Sequence, residues 1–235
     1  MSFVDSSEKQ RVDKVYSVRG YDTDVVYSDF NSIYLHRVQS LERVVLSAIK
    51  KNHLDQSLST IKVLDYGCGN GRWFGRWLAW GVSAKNLFGV DLRETAVELA
   101  KNHFCGIDIR AISDGTIPYP DNYFDIVTQN LVFSSILDDQ IRQDTAKEMM
   151  RVLKPGGLIF WFDFTFNNPV NHDVKGIVKK DVLRLFSGLS VKFMKTLVLA
   201  PPIAKYIVPL SWNLSSVIED FIPVFRTHIF VALKK

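Results

Sequence analysis

VLDYGCGNGRW, residues Val63–Trp73, carries glycine at positions 67, 69 and 71, directly after an apolar run and directly before an aromatic-rich one. Read with the preceding Ile61 and Lys62, the stretch is a buried strand that ends in a glycine turn, and the turn opens a helix. A helix that starts there presents unpaired backbone N–H groups and the positive end of its dipole. Glycine lacks a Cβ, so a ligand can approach the backbone closely. The expectation is a ligand-binding turn between a first strand and a first covering helix.

Outward from this turn the chain alternates. NLFGVDL reads as a second strand and RETAVELAKNH as a second helix. IDIRAIS and YFDIVTQN are a third and a fourth strand. LDDQIRQDTAKEMMRVLKPGG is a helix started by Asp138 or Asp139 and stopped by Pro155, Gly156 and Gly157. LIFWFDF is a fifth strand, and two more are expected near KFMKTLVLA and RTHIFVALKK. Strands that are nearly all apolar and alternate with helices imply a mostly parallel sheet covered on both faces. Upstream, LHRVQSLERVVLSAIKK repeats apolar residues at near-helical spacing. Trp73, Trp77 and Trp80 are also spaced for a helix and are read as packing on the sheet. The segment PPIAKYIVPLSWNLSSVIEDFIP interrupts the rhythm and is read as a cap over a pocket.

The chain has 235 residues, 47% of them hydrophobic, which suits one sizeable α/β domain. A net charge of +4 with dispersed basic residues does not point to nucleic acid. The two cysteines, Cys68 and Cys105, fit no metal pattern, and a reducing, cytoplasmic setting is the default. The polar N-terminus has no apolar signal core, and no apolar stretch is long enough to span a membrane.

The turn discriminates between ligands. The dinucleotide fingerprint needs glycine at its sixth place, where this chain has Arg72. Asp65, two residues before the first glycine, would repel a pyrophosphate but suits a cationic amino acid group. S-adenosylmethionine carries such a group and no phosphate. LDYGCGNG resembles motif I of the class I S-adenosylmethionine-dependent methyltransferases, and the resemblance runs through about two-thirds of the chain. It implies a Rossmann-like three-layer α/β/α sandwich with a seven-stranded, mostly parallel sheet whose last strand is antiparallel. It also implies a cofactor site. Asp65, Gly67, Cys68, Gly69 and Asn70 would form the methionine-end turn, with Cys68 there as a small residue. Asp91, followed by Leu92, would accept from both ribose hydroxyls. Asp114 would accept from the adenine amino group, beside Gly115 and Ile117. Asn130 would face the methionine end.

The domain is expected to span 1–235, with a helical lid over about 1–58 and the cap insertion over about 200–223. In relatives such an N-terminal segment closes over the cofactor, which would bring Tyr27 near its methionine end. His172 is the first candidate base, with Asp173 as its orienter or substitute, and His36 is a further candidate. Trp161, Phe164 and Trp212 are candidates to reach the acceptor. His53, His103 and His228 are read as structural or exposed. WFDFTFNNPVNHDVKGI, TLVLAPPIAKYIVPLSW and FRTH resemble a bacterial subgroup of small methyltransferases often tied to surface-polysaccharide or other small-molecule biosynthesis. The leading expectation is methyl transfer to a small-molecule acceptor, at a hydroxyl of a sugar or other biosynthetic intermediate. The alternatives are a nucleic-acid or lipid-linked acceptor, the latter with peripheral membrane contact through Lys195 and Lys205, and a non-catalytic cofactor-binding regulator. No interface is legible, so the oligomeric state is open.

Overall fold

The computed structural model describes residues 4, 6–18, 26–167 and 171–235. A first helix, α1 (Ser6–Val18), precedes the long α2 (Ser32–Lys51). The α/β alternation then runs β1 (Val63–Tyr66), α3 (Phe74–Ala79), β2 (Leu87–Asp91), α4 (Glu94–His103) and β3 (Asp108–Ala111). It continues with β4 (Phe124–Asn130), α5 (Asp139–Val152), β5 (Leu153–Phe164), α6 (Lys179–Leu185) and β6 (Ser190–Leu199). Two helices, α7 (Pro201–Leu210) and α8 (Trp212–Phe221), lead to β7 (Arg226–Lys234).

The strands form one seven-stranded sheet in the order β3-β2-β1-β4-β5-β7-β6. β1 through β5 pair in parallel, while β7 runs antiparallel to both of its neighbours. This is the expected Rossmann-like α/β/α sandwich. Alternate residues of each central strand enter opposite cores, as a two-sided strand requires. Val63, Phe160 and Phe162 join one core with Leu41, Val45 and Ile49 of α2, Trp77 of α3 and Val97 of α4. Leu64, Ile159 and Trp161 join the other with Ala146 and Met149 of α5 and Val182 of α6.

Local chemistry sets the element ends. Asn31 caps α2 by accepting from the N–H groups of Ile33 and Tyr34. Asp138 caps α5 in the same way, accepting from Gln140 and Ile141. Gly81, at φ +102°, takes the chain out of the helix region after α3. Trp77 is buried and stacks on Phe160, so the tryptophan stripe is helix-to-sheet packing. One boundary differs from expectation. α5 ends at Val152, and Leu153 already pairs with Phe124, so the Pro-Gly-Gly run lies inside β5 at an irregular register instead of stopping the helix. A Cβ on Gly157 would meet main-chain oxygens of Asp125 and Lys154 at 3.0 Å, which explains the glycine.

The segment read as a cap insertion forms the helix pair α7 and α8. Leu199, Ala204 and Val208 form a small core with Ile33 of α2 and with Trp212 and Ile218. The pair therefore rests on α2 at the β6 edge of the sheet. It is only partly buried: Tyr206, Leu210, Val217 and Phe221 are exposed. Among the described residues no helix is long and apolar enough to cross a membrane.

Candidate functional site

The parallel strands β1 to β5 deliver their C-terminal ends to one edge of the sheet, and the loops leaving that edge build the site. After β1, Gly67, Gly69 and Gly71 take φ of +72°, +56° and +81°. L side chains rarely adopt that region. A Cβ on Gly67 would run into Val132, and one on Gly71 would lie 2.7 Å from Phe74 and 3.0 Å from Phe104. The glycines are thus required first by the turn and by its packing. The expectation of unpaired N–H groups is not met at four of the turn positions. Gly67 and Cys68 donate to the Val90 carbonyl, Gly71 donates to the Cys68 carbonyl, and Gly69 donates to Asp91.

Asp91, at the end of β2, ties this turn to the next strand. Its Oδ2 accepts from Gly69 N–H at 2.8 Å, and its Oδ1 accepts from Arg93 N–H at 2.9 Å and lies 3.3 Å from Arg93 Nε. Asp65 lies buried on β1. Burial, and then the neighbouring charge of Asp91, push its carboxyl up to about 8. Among the described residues no cation sits against it. The Cys68 thiol is also buried, and desolvation raises its pKa well above the ordinary value, so it is a packing group here, not a nucleophile.

A cleft of about 700 Å³ opens beside these residues. Gly67, Asp91, Leu92, Ile112, Asn130 and Val132 line it from the sheet edge, and Val4, Glu8, Val12 and Tyr16 line it from the N-terminal side. α1 is docked there by Lys9 to Glu94 at 3.0 Å and by Arg11 on the Ser135 carbonyl, and Val4 N–H bonds the Asp114 carbonyl at 3.1 Å. Arg93 lies over the Tyr16 ring at 4.2 Å.

A second cleft, of about 820 Å³, adjoins the first. Tyr27, Arg37, Ser134, Phe164, Phe166, Asn171 and Val174 line it, and Tyr16, Leu131 and Ser135 line both clefts. Leu131 is held at φ +61°, a strained conformation for a branched residue, at this shared wall. The turn that follows is clamped from three sides. Asp163 accepts from Ser134 N–H at 2.9 Å, Arg142 Nε donates to the Phe133 carbonyl at 3.2 Å, and Gln129 accepts from Val132 N–H at 3.0 Å. Burial pushes the Asp163 carboxyl up to about 6.

Of the residues singled out from sequence, Gly67, Asp91, Leu92 and Asn130 line the first cleft. Asp65, Cys68, Gly69 and Asn70 do not line it: Asp65 and Cys68 are buried, and Gly69 and Asn70 half-buried, in the strand end and turn around Gly67. Asp114 is half-buried and accepts from Thr116 N–H at 3.0 Å, with Gly115 at φ +82° next to it. Tyr27 lines the second cleft rather than the first. His172 and Asp173 are exposed, while their neighbours Asn171 and Val174 line the second cleft. His36 lines neither cleft. It is buried with Nδ1 3.6 Å from Glu219 Oε2 and its ring edge-on to Trp212 at 5.1 Å, and burial, opposed by Glu219, lowers its pKa. Trp161 is wholly buried in the sheet core, whereas Phe164 reaches the second cleft. His228 is buried and stacked on Phe162, and desolvation takes its pKa down to about 3.

Sequence reading missed Arg37, Leu131 and the α1 wall. Arg37 had a signal, since it falls within the apolar stripe of α2, three residues after Tyr34 and four before Leu41. Leu131 had none, because a left-handed φ at leucine is a product of the packed structure.

Comparison with known proteins agrees with this geometry. Residues 64–161 match the family described as "Methyltransferase domain". Demethylmenaquinone methyltransferase of Staphylococcus aureus is 29% identical over 136 residues, which cover 56% of this chain and 55% of that protein. The chain thus spans about half the length of the curated relatives it matches. Among solved structures, a Pyrococcus horikoshii protein aligns over 94% of this chain and 98% of its own, with a TM-score of 0.63 and 16% identity. A TehB-like S-adenosylmethionine-dependent methyltransferase of Corynebacterium glutamicum aligns over 96% and 98%, with a TM-score of 0.56 and 17% identity. The sheet order, the glycine turn and Asp91 place the first cleft at the carboxyl edge of a parallel sheet, the edge where open α/β folds bind ligands. By the family match residues 64–161 are a methyltransferase domain, and the fold around them is that of S-adenosylmethionine-dependent methyltransferases. The first cleft fits that cofactor on its own chemistry. Asp91 lines the cleft with acceptor oxygens, Leu92, Ile112 and Val132 offer apolar walls, and the buried Asp65 carboxyl lies two residues before the lining residue Gly67.

Proposed function

We propose that the chain transfers a methyl group from S-adenosylmethionine in the first cleft to a small molecule in the second. The observation that carries this reading is the wall that the two clefts share, formed by Tyr16, Leu131 and Ser135. The cofactor supplies an electrophilic methyl group on a sulfonium centre. What the protein adds is alignment, which can supply about 7–11 kcal/mol of such a barrier. Asp65 would hold the ammonium of the amino acid end, and Asp91 the ribose hydroxyls. The strained Leu131 and the clamped turn 133–135 would fix the angle at which the acceptor meets the methyl group.

The second cleft suits a ring-bearing acceptor. Tyr27, Phe164 and Phe166 offer flat apolar surface, and Ser134, Ser135 and Asn171 offer hydrogen bonds to hydroxyls. Oxygen of a hydroxyl is therefore the favoured acceptor atom, on a sugar or another biosynthetic intermediate. Among the described residues that line this cleft there is no Asp, Glu or His, and the base would come from His172 or Asp173, beside Asn171. Transfer to a ring carbon is the second reading, supported by that scarcity of bases and by the name of the curated relative.

The test is calorimetric titration of S-adenosylmethionine and S-adenosylhomocysteine into wild type and Asp91→Ala. Losing charge-assisted hydrogen bonds worth about 1.5–3 kcal/mol each should weaken binding by at least about tenfold. Labelled methyl transfer to sugars, nucleotide sugars and phenols follows. Equal affinity in the variant would remove the cofactor assignment, and tight binding without turnover on any acceptor would favour the non-catalytic regulator.

A further inference from the structure

Arg37 projects from the middle of α2 into the second cleft. Its guanidinium lies 5.4 Å from the centre of the Tyr27 ring and 5.1 Å from that of Tyr34, and these two rings meet edge to face at 5.6 Å. The side chain keeps some contact with solvent through the cleft, yet it lies deep enough that desolvation lowers its pKa, with the Tyr27 and Tyr34 hydroxyls opposing that shift. Among the described residues it has neither a carboxylate partner nor a hydrogen bond. The other charged group that bears on it among the described residues is a cation, Arg72, which donates to the Tyr27 carbonyl at 2.7 Å. The imidazole of buried His228 is neutral near pH 7 and brings no compensating negative charge.

This placement is unusual for an arginine. Buried or half-buried guanidinium groups are normally paired, because removing a charge from water without a partner is costly. The other arginines around the site follow that rule: Arg142 pairs with Asp139, Arg76 with Glu42, and Arg93 with Asp91. Two tyrosine faces supply part of the missing compensation by cation–π attraction, and they hold the planar fork in one orientation. Its donors are left for whatever enters the cleft.

Resting on the reading of the second cleft as the acceptor site, we propose that Arg37 recognises an anionic oxygen group, a carboxylate or a phosphate, on the acceptor. The remaining wall takes the acceptor's ring, and the guanidinium takes its charge by a bidentate, charge-assisted contact. The acceptor class is then narrowed from any hydroxylated small molecule to hydroxylated ring acids or phosphorylated rings. Neutral sugars and neutral quinones fall outside it. Arg37 is a specificity residue in this scheme, because it acts on binding and not on the methyl group.

The experiment uses the full chain saturated with S-adenosylhomocysteine. Three probes are titrated into it by calorimetry: 4-hydroxybenzoate, its neutral counterpart 4-hydroxybenzamide, and inorganic phosphate. The same titrations are run on Arg37→Gln and Arg37→Lys. At least one anion should bind at or below about 10 mM, and at least about tenfold more tightly than the amide. That preference should vanish in Arg37→Gln and survive in part in Arg37→Lys, which keeps the charge but loses the planar fork. Binding of hydroxybenzoate alone assigns a carboxylate, and binding of phosphate alone assigns a phosphorylated acceptor. Unchanged S-adenosylhomocysteine affinity in both variants shows that the fold and first cleft are intact. Equal binding of acid and amide, retention of the preference in Arg37→Gln, or no anion binding at all overturns the proposal. Failure of S-adenosylhomocysteine to bind the wild type would instead overturn the proposed function beneath it.

Discussion

At the residue level the charge state of Asp65 is the feature with the clearest consequence. Its folded pKa, about 8, lies far above the ordinary 3.8 because burial and Asp91 oppose ionisation. For a carboxyl raised in this way, the favourable contribution to stability is complete below the ordinary value and is lost as pH climbs toward about 8. A cationic ligand favours the ionised form, so binding below about pH 8 should release a proton. Affinity for S-adenosylmethionine should accordingly rise between about pH 6 and 8, by at most about tenfold per pH unit. Calorimetry at pH 7 in two buffers of different ionisation heat reads this directly. The apparent enthalpies should differ for wild type and coincide for Asp65→Asn. Identical heats in the wild type would mean that Asp65 does not gain a cation. Asp65 and Asp91 were legible in the sequence because each sits at a fixed offset from a recognisable turn or strand end. Leu131 and Asp163 were not, and Arg37 left only its place in the apolar stripe of α2, because their roles come from what lies opposite them in space.

At the level of elements, two turns carry the site. In the β1–α3 turn, Gly67→Ala would add a Cβ where Val132 already packs, on a backbone at φ +72°. The expected loss is about 1–3 kcal/mol in thermal or denaturant unfolding, with weaker cofactor binding. Wild-type stability in that variant would mean that the turn can shift freely. The second turn, 133–135, hangs on Asp163, which accepts from Ser134 N–H and Phe164 N–H. Asp163→Ala should destabilise the chain by about 1–3 kcal/mol at pH 7 by orphaning both donors. Because the carboxyl is raised to about 6, its own favourable share of stability declines from about pH 4 to 6, and the variant should lack that slope. Most elements follow from apolar periodicity and capping residues. The end of α5 did not, since Pro155 and the two glycines that look like a helix stop are taken into β5 by pairing with β4.

At the level of the whole molecule, the described N-terminal residues line the first cleft without belonging to the sandwich. α1 touches the helix after β2 through Glu94 and the turn after β4 through Ser135, while Val4 holds the loop after β3 through Asp114. These named contacts are polar, so α1 should open far more readily than the sheet. We propose α1 as the lid expected of the N-terminal segment, since α1 rather than Tyr27 lines the first cleft. Saturation with S-adenosylhomocysteine should slow amide hydrogen exchange in α1 and leave the central strands unchanged. Equal α1 exchange with and without the ligand would discard the lid.

The amino-acid order alone settled the alternation of strands and helices, the sheet's two buried faces, and the glycine turn with its acidic partners. Those features depend on local periodicity, backbone permissiveness and residues close in sequence. Only the folded chain decided that the N–H groups of Gly67 and Gly69 are spent on Val90 and Asp91 of β2, that His36 faces Glu219 while Arg37 faces the cleft, and that the α7–α8 pair rests on α2. Each of these depends on which groups meet across long sequence separations, and a one-residue step along α2 turns a side chain by about 100°.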